Sequence, residues 1–134
     1  MEITYQDTKD FEPAQLQQLF LSVEWSSGHY PERLADAMKN YGSVFSAWHE
    51  GQLVGLISSM DDGGMTAYIH YLLVNPDYQS LGIGKELVAR TKRHYKDYLR
   101  VVLIAYDKEK AFYERCGFSA HADKLPMMIT SLWT

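Results

Sequence analysis

The strongest constraint on this chain is a run of three apolar, β-rich segments with very little between them. From Ser43 to Val74 it reads SVFSAWHEGQLVGLISSMDDGGMTAYIHYLLV. Only Glu50-Gly51 and Asp62-Gly63-Gly64 interrupt it, and both suit hairpin turns, because glycine readily takes the positive φ of a tight reversal. Links this short cannot carry a crossover, so the three strands must run antiparallel.

The flanking segments extend this core. EITYQ alternates and predicts a first strand. PAQLQQLFLSV places Leu16, Leu19, Phe20 and Val23 at helical spacing, with Pro13 in the first turn. EWSSGHY breaks that pattern, and PERLADAMKNYG predicts a second helix from Pro31, ended by Gly42 as the residue past its terminus. A third helix is expected over 82–98, with Ile83, Leu87, Val88, Tyr95 and Leu99 on one apolar face. RVVLIAY is a short continuous apolar strand, and DKEKAFYERCG a short helix ended by Gly117. The tail FSAHADKLPMMITSLWT is expected to hold one or two more strands. The order β-α-α-β-β-β-α-β-α-β defines a mixed α/β domain, one sheet covered by helices. No repeat or linker divides the 134 residues, a length that makes one domain, 1–134.

Composition narrows the function. Thirteen Lys and Arg against 17 Asp and Glu give a net charge of -4, which argues against a broad basic face for nucleic acid. Cys116 is the single cysteine, so no intrachain disulfide forms and a reducing compartment is expected. The N-terminus has no signal-peptide pattern, and no apolar run approaches the roughly 20 residues of a membrane helix. A soluble, cytoplasmic protein without a membrane partner is therefore expected. The five histidines lack metal-ligand spacing, so no metal is expected.

The chemistry-bearing stretch is LLVNPDYQSLGIGKEL, residues 72–87. Strand, Gly-x-Gly and helix follow in order. A helix N-terminus offers unpaired N–H groups and the positive end of the dipole, and glycine lets an anion approach the backbone. Two phosphate motifs fail here. Gly84-Lys85 is followed by Glu86 where a P-loop needs Ser or Thr, and Leu87 stands where the dinucleotide fingerprint needs glycine.

The flanks decide the matter. Val74 to Gly84 resembles motif A of the GNAT acetyltransferase superfamily, with Gln79, Gly82 and Gly84 in its three slots. AFYERCGF, 111–118, matches the family's second signature at Phe112, Tyr113, Gly117 and Phe118. The resemblance implies the GNAT fold: an α/β (α+β) domain whose mixed, mostly antiparallel sheet has splayed central strands and about four flanking helices. It implies acetyl-CoA as co-substrate and transfer of acetyl to a primary amine of a small molecule or peptide, directly in a ternary complex.

The same resemblance assigns roles. The loop N–H groups over Gln79, Ser80, Leu81, Gly82, Ile83, Gly84 and Lys85 would hold the pyrophosphate of coenzyme A, with Phe112 near it. Leu72, Leu73 and Val74 would pair through their backbone with the pantetheine arm. Tyr113 matches the position that often protonates the departing thiolate. Relatives often carry an acidic base on the strand before motif A; here AYIHYLLV offers His70 and Tyr71 instead. His70 is the candidate base on intrinsic pKa. The connection between the first two helices, with Trp25, His29 and Tyr30, is expected to line the acceptor side together with Tyr71. The missing carboxylate keeps a non-catalytic acyl-CoA-binding module open as the alternative. A homodimer is compatible with all of this.

Overall fold

The protein is described by a computed structural model over residues 1–134. Its elements are β1 (Thr4–Gln6), α1 (Pro13–Ser22), α2 (Pro31–Asn40), β2 (Ser43–His49), β3 (Gln52–Asp61), β4 (Thr66–Val74), α3 (Ile83–His94), β5 (Arg100–Leu103) and α4 (Lys110–Arg115). Short 3-10 turns occupy Ser26–His29, Pro76–Tyr78 and Asp107–Glu109. The strands lie in the order β1-β2-β3-β4-β5. The first four pair antiparallel, and β4 and β5 pair parallel, joined through α3.

Both hairpin turns form where the sequence places them. Glu50 (φ 49°) and Gly51 (φ 81°) both take positive φ, as a tight two-residue hairpin requires. In the second turn Asp62 Oδ1 accepts the N–H groups of Gly64, Met65 and Thr66. Those three bonds hold its carboxyl below the ordinary carboxylate range.

The sheet separates two apolar clusters. On one face Leu16, Leu19, Phe20, Leu34 and Met38 of α1 and α2 pack on Val44, Leu53, Leu56, Tyr71 and Leu73. On the other, Ile83, Leu87 and Val88 of α3 pack on Ala47, Val54, Ile57 and Ile69, with Phe112 and Phe118 beside them. Burying one such side chain is worth roughly 1.5–3 kcal/mol. Glycine at 55 is needed for this second layer, since a Cβ there would stand 2.9 Å from Ile83 Cγ2.

Two features of β4 shape the site. Ile69 pairs with Ser59 and Tyr71 with Ser58, which leaves His70 without a partner in a β-bulge. A bulge breaks the alternation of faces, so His70 and Tyr71 turn to the same side and stack with ring centroids 4.1 Å apart. Pairing of β4 with β5 ends at Ile69–Leu103, and the strands part beyond that point.

Three expectations need correction. The tail after Phe118 holds no strand. Pro126 removes a ladder donor, and the chain instead runs to the α1–α2 connection, where the Ser27 N–H donates to Thr134 O at 2.7 Å. The third helix stops at His94, and Leu99 is 79% exposed rather than part of its apolar face. With no strand beyond it, β5 is only partly covered. Gly42 stands just past the end of α2, as expected, though not in the left-handed conformation. It is required by packing, because a Cβ there would collide with the Asp61 carboxylate.

Candidate active site

At one end of the site the chain leaves β4 and turns twice through the left-handed region, at Ser80 (φ 68°) and Gly82 (φ 79°), before α3 begins. Asn75 Oδ1 accepts the Asp77 N–H at 2.9 Å and fixes the start of this loop. The first intrahelical bond of α3 runs from the Glu86 N–H to Gly82 O, so the N–H groups before it have no helical acceptor. The two glycines differ in use. A Cβ at Gly82 would face open space but sit on a strained backbone. A Cβ at Gly84 would meet the Phe112 ring at 3.4 Å, an ordinary van der Waals contact, so protein packing alone does not demand glycine there. Of the nearby cations, Lys85 lines the cleft. Arg90 is engaged by Glu86 at 2.8 Å, and Lys92 donates to Cys116 O at 2.6 Å.

From this loop a cleft of about 900 Å³ runs along Leu72, Leu73 and Val74 on one wall and Ile104, Ala105 and Tyr106 on the other. Its walls also carry Gln79, Ser80, Gly82, Ile83 and Gly84, together with Phe112 and Tyr113 from α4. Leu81 does not line it, and its side chain is half exposed beside the loop. Burial, then the charge of Glu109, raises the Tyr113 phenol to about 12, so it is protonated at any physiological pH.

The far end of the cleft reaches Trp25, Ser27, His70 and Tyr71. A smaller cavity of about 270 Å³ adjoins it, sharing Ser27, His70 and Tyr71 and adding Tyr30, Arg33 and Tyr41. His70 Nδ1 lies 2.6 Å from Tyr41 Oη. Desolvation lowers the His70 pKa, so the imidazole is neutral near pH 7. Desolvation likewise raises the Tyr41 phenol. Tyr71 Oη is held by Ser27 Oγ at 2.8 Å.

The four residues expected on the acceptor side separate. Tyr71 and Trp25 line the large cleft, and both pack on Phe20 in the α1–α2 core. Tyr30, half exposed, lines only the smaller cavity, and His29 lines neither. The structure adds Tyr41, Arg33 and the tail residues Met128, Thr130 and Leu132, which the sequence reading did not single out. Tyr41 looked only like the end of a helix. Its role as partner of His70 depends on the β4 bulge, which leaves no signal of its own in the sequence. The tail is tied across the cleft mouth by the Trp133 N–H to Ser26 Oγ and the Trp133 indole N–H to Glu24 O, both at 3.2 Å.

A five-stranded mixed sheet whose fourth and fifth strands part over a glycine loop defines an acetyltransferase-type fold. Comparison with known proteins agrees: residues 8–118 match the acetyltransferase (GNAT) family, and the chain belongs to it. An acetyltransferase of the GNAT family from Streptococcus pneumoniae superposes with a TM-score of 0.84 at 25% identity, covering 97% of this chain and 98% of that one. The glucosamine 6-phosphate N-acetyltransferase of Trypanosoma brucei brucei is 32% identical over 110 residues, 71% of this chain and 72% of that protein. The chloroplastic GCN5-related N-acetyltransferase 3 of Arabidopsis thaliana is 40% identical over 70 residues, 51% of this chain and 30% of its own length. Members of the family use acetyl-CoA as co-substrate. No helix is long and apolar enough to cross a membrane.

Proposed function

We propose that the protein transfers acetyl from acetyl-CoA to a primary amine of a small molecule or peptide, in a ternary complex without a covalent enzyme intermediate. One observation carries this reading: a single cleft runs from the loop at the start of α3, past the parted strands and Tyr113, to His70. A phosphate-bearing acyl donor and an amine acceptor can thus enter from opposite ends and meet in it. Aligning two reactants in this way can supply several kcal/mol of the barrier. The relative from Trypanosoma, named for an amino-sugar acceptor, supports a small amine.

In the donor half, the free N–H groups of Ile83, Gly84 and Lys85 would hold the pyrophosphate, with the Lys85 ammonium adding charge. The β4 backbone at 72–74 would pair with the pantetheine arm, as an added strand does.

The amine nitrogen attacks the thioester carbon, a C–N bond forms, the C–S bond breaks, and one proton passes from nitrogen toward sulfur. Magnitudes place the proton steps. An alkylammonium with pKa near 10 would lose its proton to a histidine below 6.5 only at a cost of about 5 kcal/mol. The amine therefore arrives neutral, and His70 accepts the proton after attack, when the nitrogen has become strongly acidic. For Nε2 to accept, Nδ1 must carry a proton and donate it to Tyr41 Oη. Tyr113, held near 12, is a weaker acid than an alkyl thiol and does not give its proton fully to the departing thiolate. It stabilises the developing sulfur anion by hydrogen bonding, and the proton from nitrogen completes the thiol.

A thiol-release assay with acetyl-CoA against a panel of small and peptide amines tests this. Release that requires an amine, with stoichiometric N-acetyl product, is the expected result. Tight acetyl-CoA binding with no amine-dependent release would leave only an acyl-CoA-binding module.

A further inference from the structure

The smaller cavity has a charge character that the whole chain does not share. The chain carries a net charge of -4, yet no Asp or Glu side chain lines this space. Its one charged lining residue is Arg33, in the first turn of α2. The Arg33 guanidinium is solvent-exposed, takes part in no ion pair, and lies 5.7 Å from the centre of the Tyr30 ring. Of the other polar groups there, the hydroxyls of Tyr30 and Ser131 make no hydrogen bond, and the rest are engaged. Tyr71 Oη and Ser27 Oγ bond each other, and Tyr41 Oη bonds His70. His70, at the junction with the cleft, is neutral near pH 7. An acceptor lying here with its amine at His70 therefore meets one positive charge, on Arg33, aromatic walls and no Asp or Glu side chain.

We infer that Arg33 selects acceptors carrying an anionic group, a phosphate or carboxylate, a few bonds from the reacting amine. The inference rests on the acetyl-transfer reading above and names the acceptor class for the same site. A guanidinium presents its donors in a fork that matches both oxyanions, so it can hold one end of a small molecule while the amine stays free. A cationic tail, such as that of a polyamine or a lysine-rich peptide, would find only repulsion here. The volume of about 270 Å³ suits a compact metabolite-sized acceptor, close to the lower bound of ordinary small-molecule sites.

Matched pairs of amines differing by one anionic group provide the test, in the thiol-release assay at saturating acetyl-CoA. Ethanolamine is set against O-phosphoethanolamine, and tyramine against tyrosine. The anionic member should have the higher kcat/KM in at least one pair, by about tenfold or more, as expected for a charge-assisted contact. Arg33→Ala should collapse that ratio through KM with kcat retained, Arg33→Lys should keep part of it, and Lys39→Ala, on an exposed position of the same helix, should keep all of it. Neutral members reacting as well as anionic ones, or a ratio that survives Arg33→Ala, overturns the inference and leaves the acetyltransferase standing. No release with any amine, despite acetyl-CoA binding by calorimetry, overturns the acetyl-transfer reading and this inference with it.

Discussion

The two ends of the cleft are built from different materials. The loop end is backbone: Ser80 and Gly82 in the left-handed region, free N–H groups at the start of α3, and the unpaired stretch of β4. The histidine end is side chains from distant segments. Tyr41 follows α2, His70 lies on the β4 bulge, Trp25 and Ser27 sit between helices, and Leu132 comes from the tail. A backbone-built site tolerates few residue types, since a positive φ or a close approach favours glycine. A side-chain-built site can be assembled from almost any positions that the fold brings together. The loop end therefore leaves a motif in the sequence, and the histidine end does not.

Mutations can break or sharpen this contrast. The largest effect is expected where the two ends meet, at Tyr113. Tyr113→Phe keeps the ring and removes the hydrogen bond to sulfur; kcat should fall about 10²-fold with acetyl-CoA affinity retained. Steady-state kinetics beside calorimetry decides it, and undiminished kcat would assign sulfur stabilisation to water.

At the acceptor end, His70→Gln should lower kcat/KM by about tenfold or more and remove a limb from its pH profile. That limb rises with pH and has its midpoint below 6.5, because desolvation lowers the His70 pKa. Tyr41→Phe should move the same midpoint by a smaller amount, a readout that simple loss of packing would not give. The linkage to stability has a definite sign. The unfolded chain binds a proton at His70 more readily than the folded one does. This residue therefore costs stability as pH falls through 6.5 and below. Tm in the His70→Gln variant should decline less steeply over that range.

At the donor end, Gly82→Ala forces an alanine to φ +79° at a cost of roughly 1–2 kcal/mol. Tm should drop by a few degrees, and acetyl-CoA should bind more weakly as the loop shifts. Unchanged affinity in the folded variant would mean that the loop backbone does not hold the pyrophosphate.

The smallest effects separate Tyr30 from Trp25. Tyr30 is 46% exposed, so Tyr30→Ala should raise the acceptor KM a few-fold at nearly constant Tm. Trp25 packs against the α1–α2 core, so Trp25→Ala should lower Tm as well. Equal Tm losses in both variants would make Tyr30 an anchor of the loop rather than a pocket wall.

Much of this architecture was legible in the chain. Periodicity located α1 and α2, the Glu50-Gly51 and Asp62-Gly63-Gly64 turns enforced the β2-β3-β4 meander, and the spacing from Gln79 to Phe118 pointed to the family. These are local properties, set by the backbone needs of consecutive residues. Tertiary structure decided the rest. The His70 bulge exists only against its β3 partner, and it alone brings His70 and Tyr71 to one side and His70 to Tyr41, 29 positions away in the chain. The tail has an apolar sequence that reads as strand, yet it gains its hydrogen bonds from Ser26 and Ser27 across the cleft instead. Gly42 follows the end of α2 as its sequence position implied, but the reason it must be glycine is the space it leaves for Asp61. In each case the deciding contact joins residues far apart in sequence, and a pattern of neighbours along the chain holds no record of it.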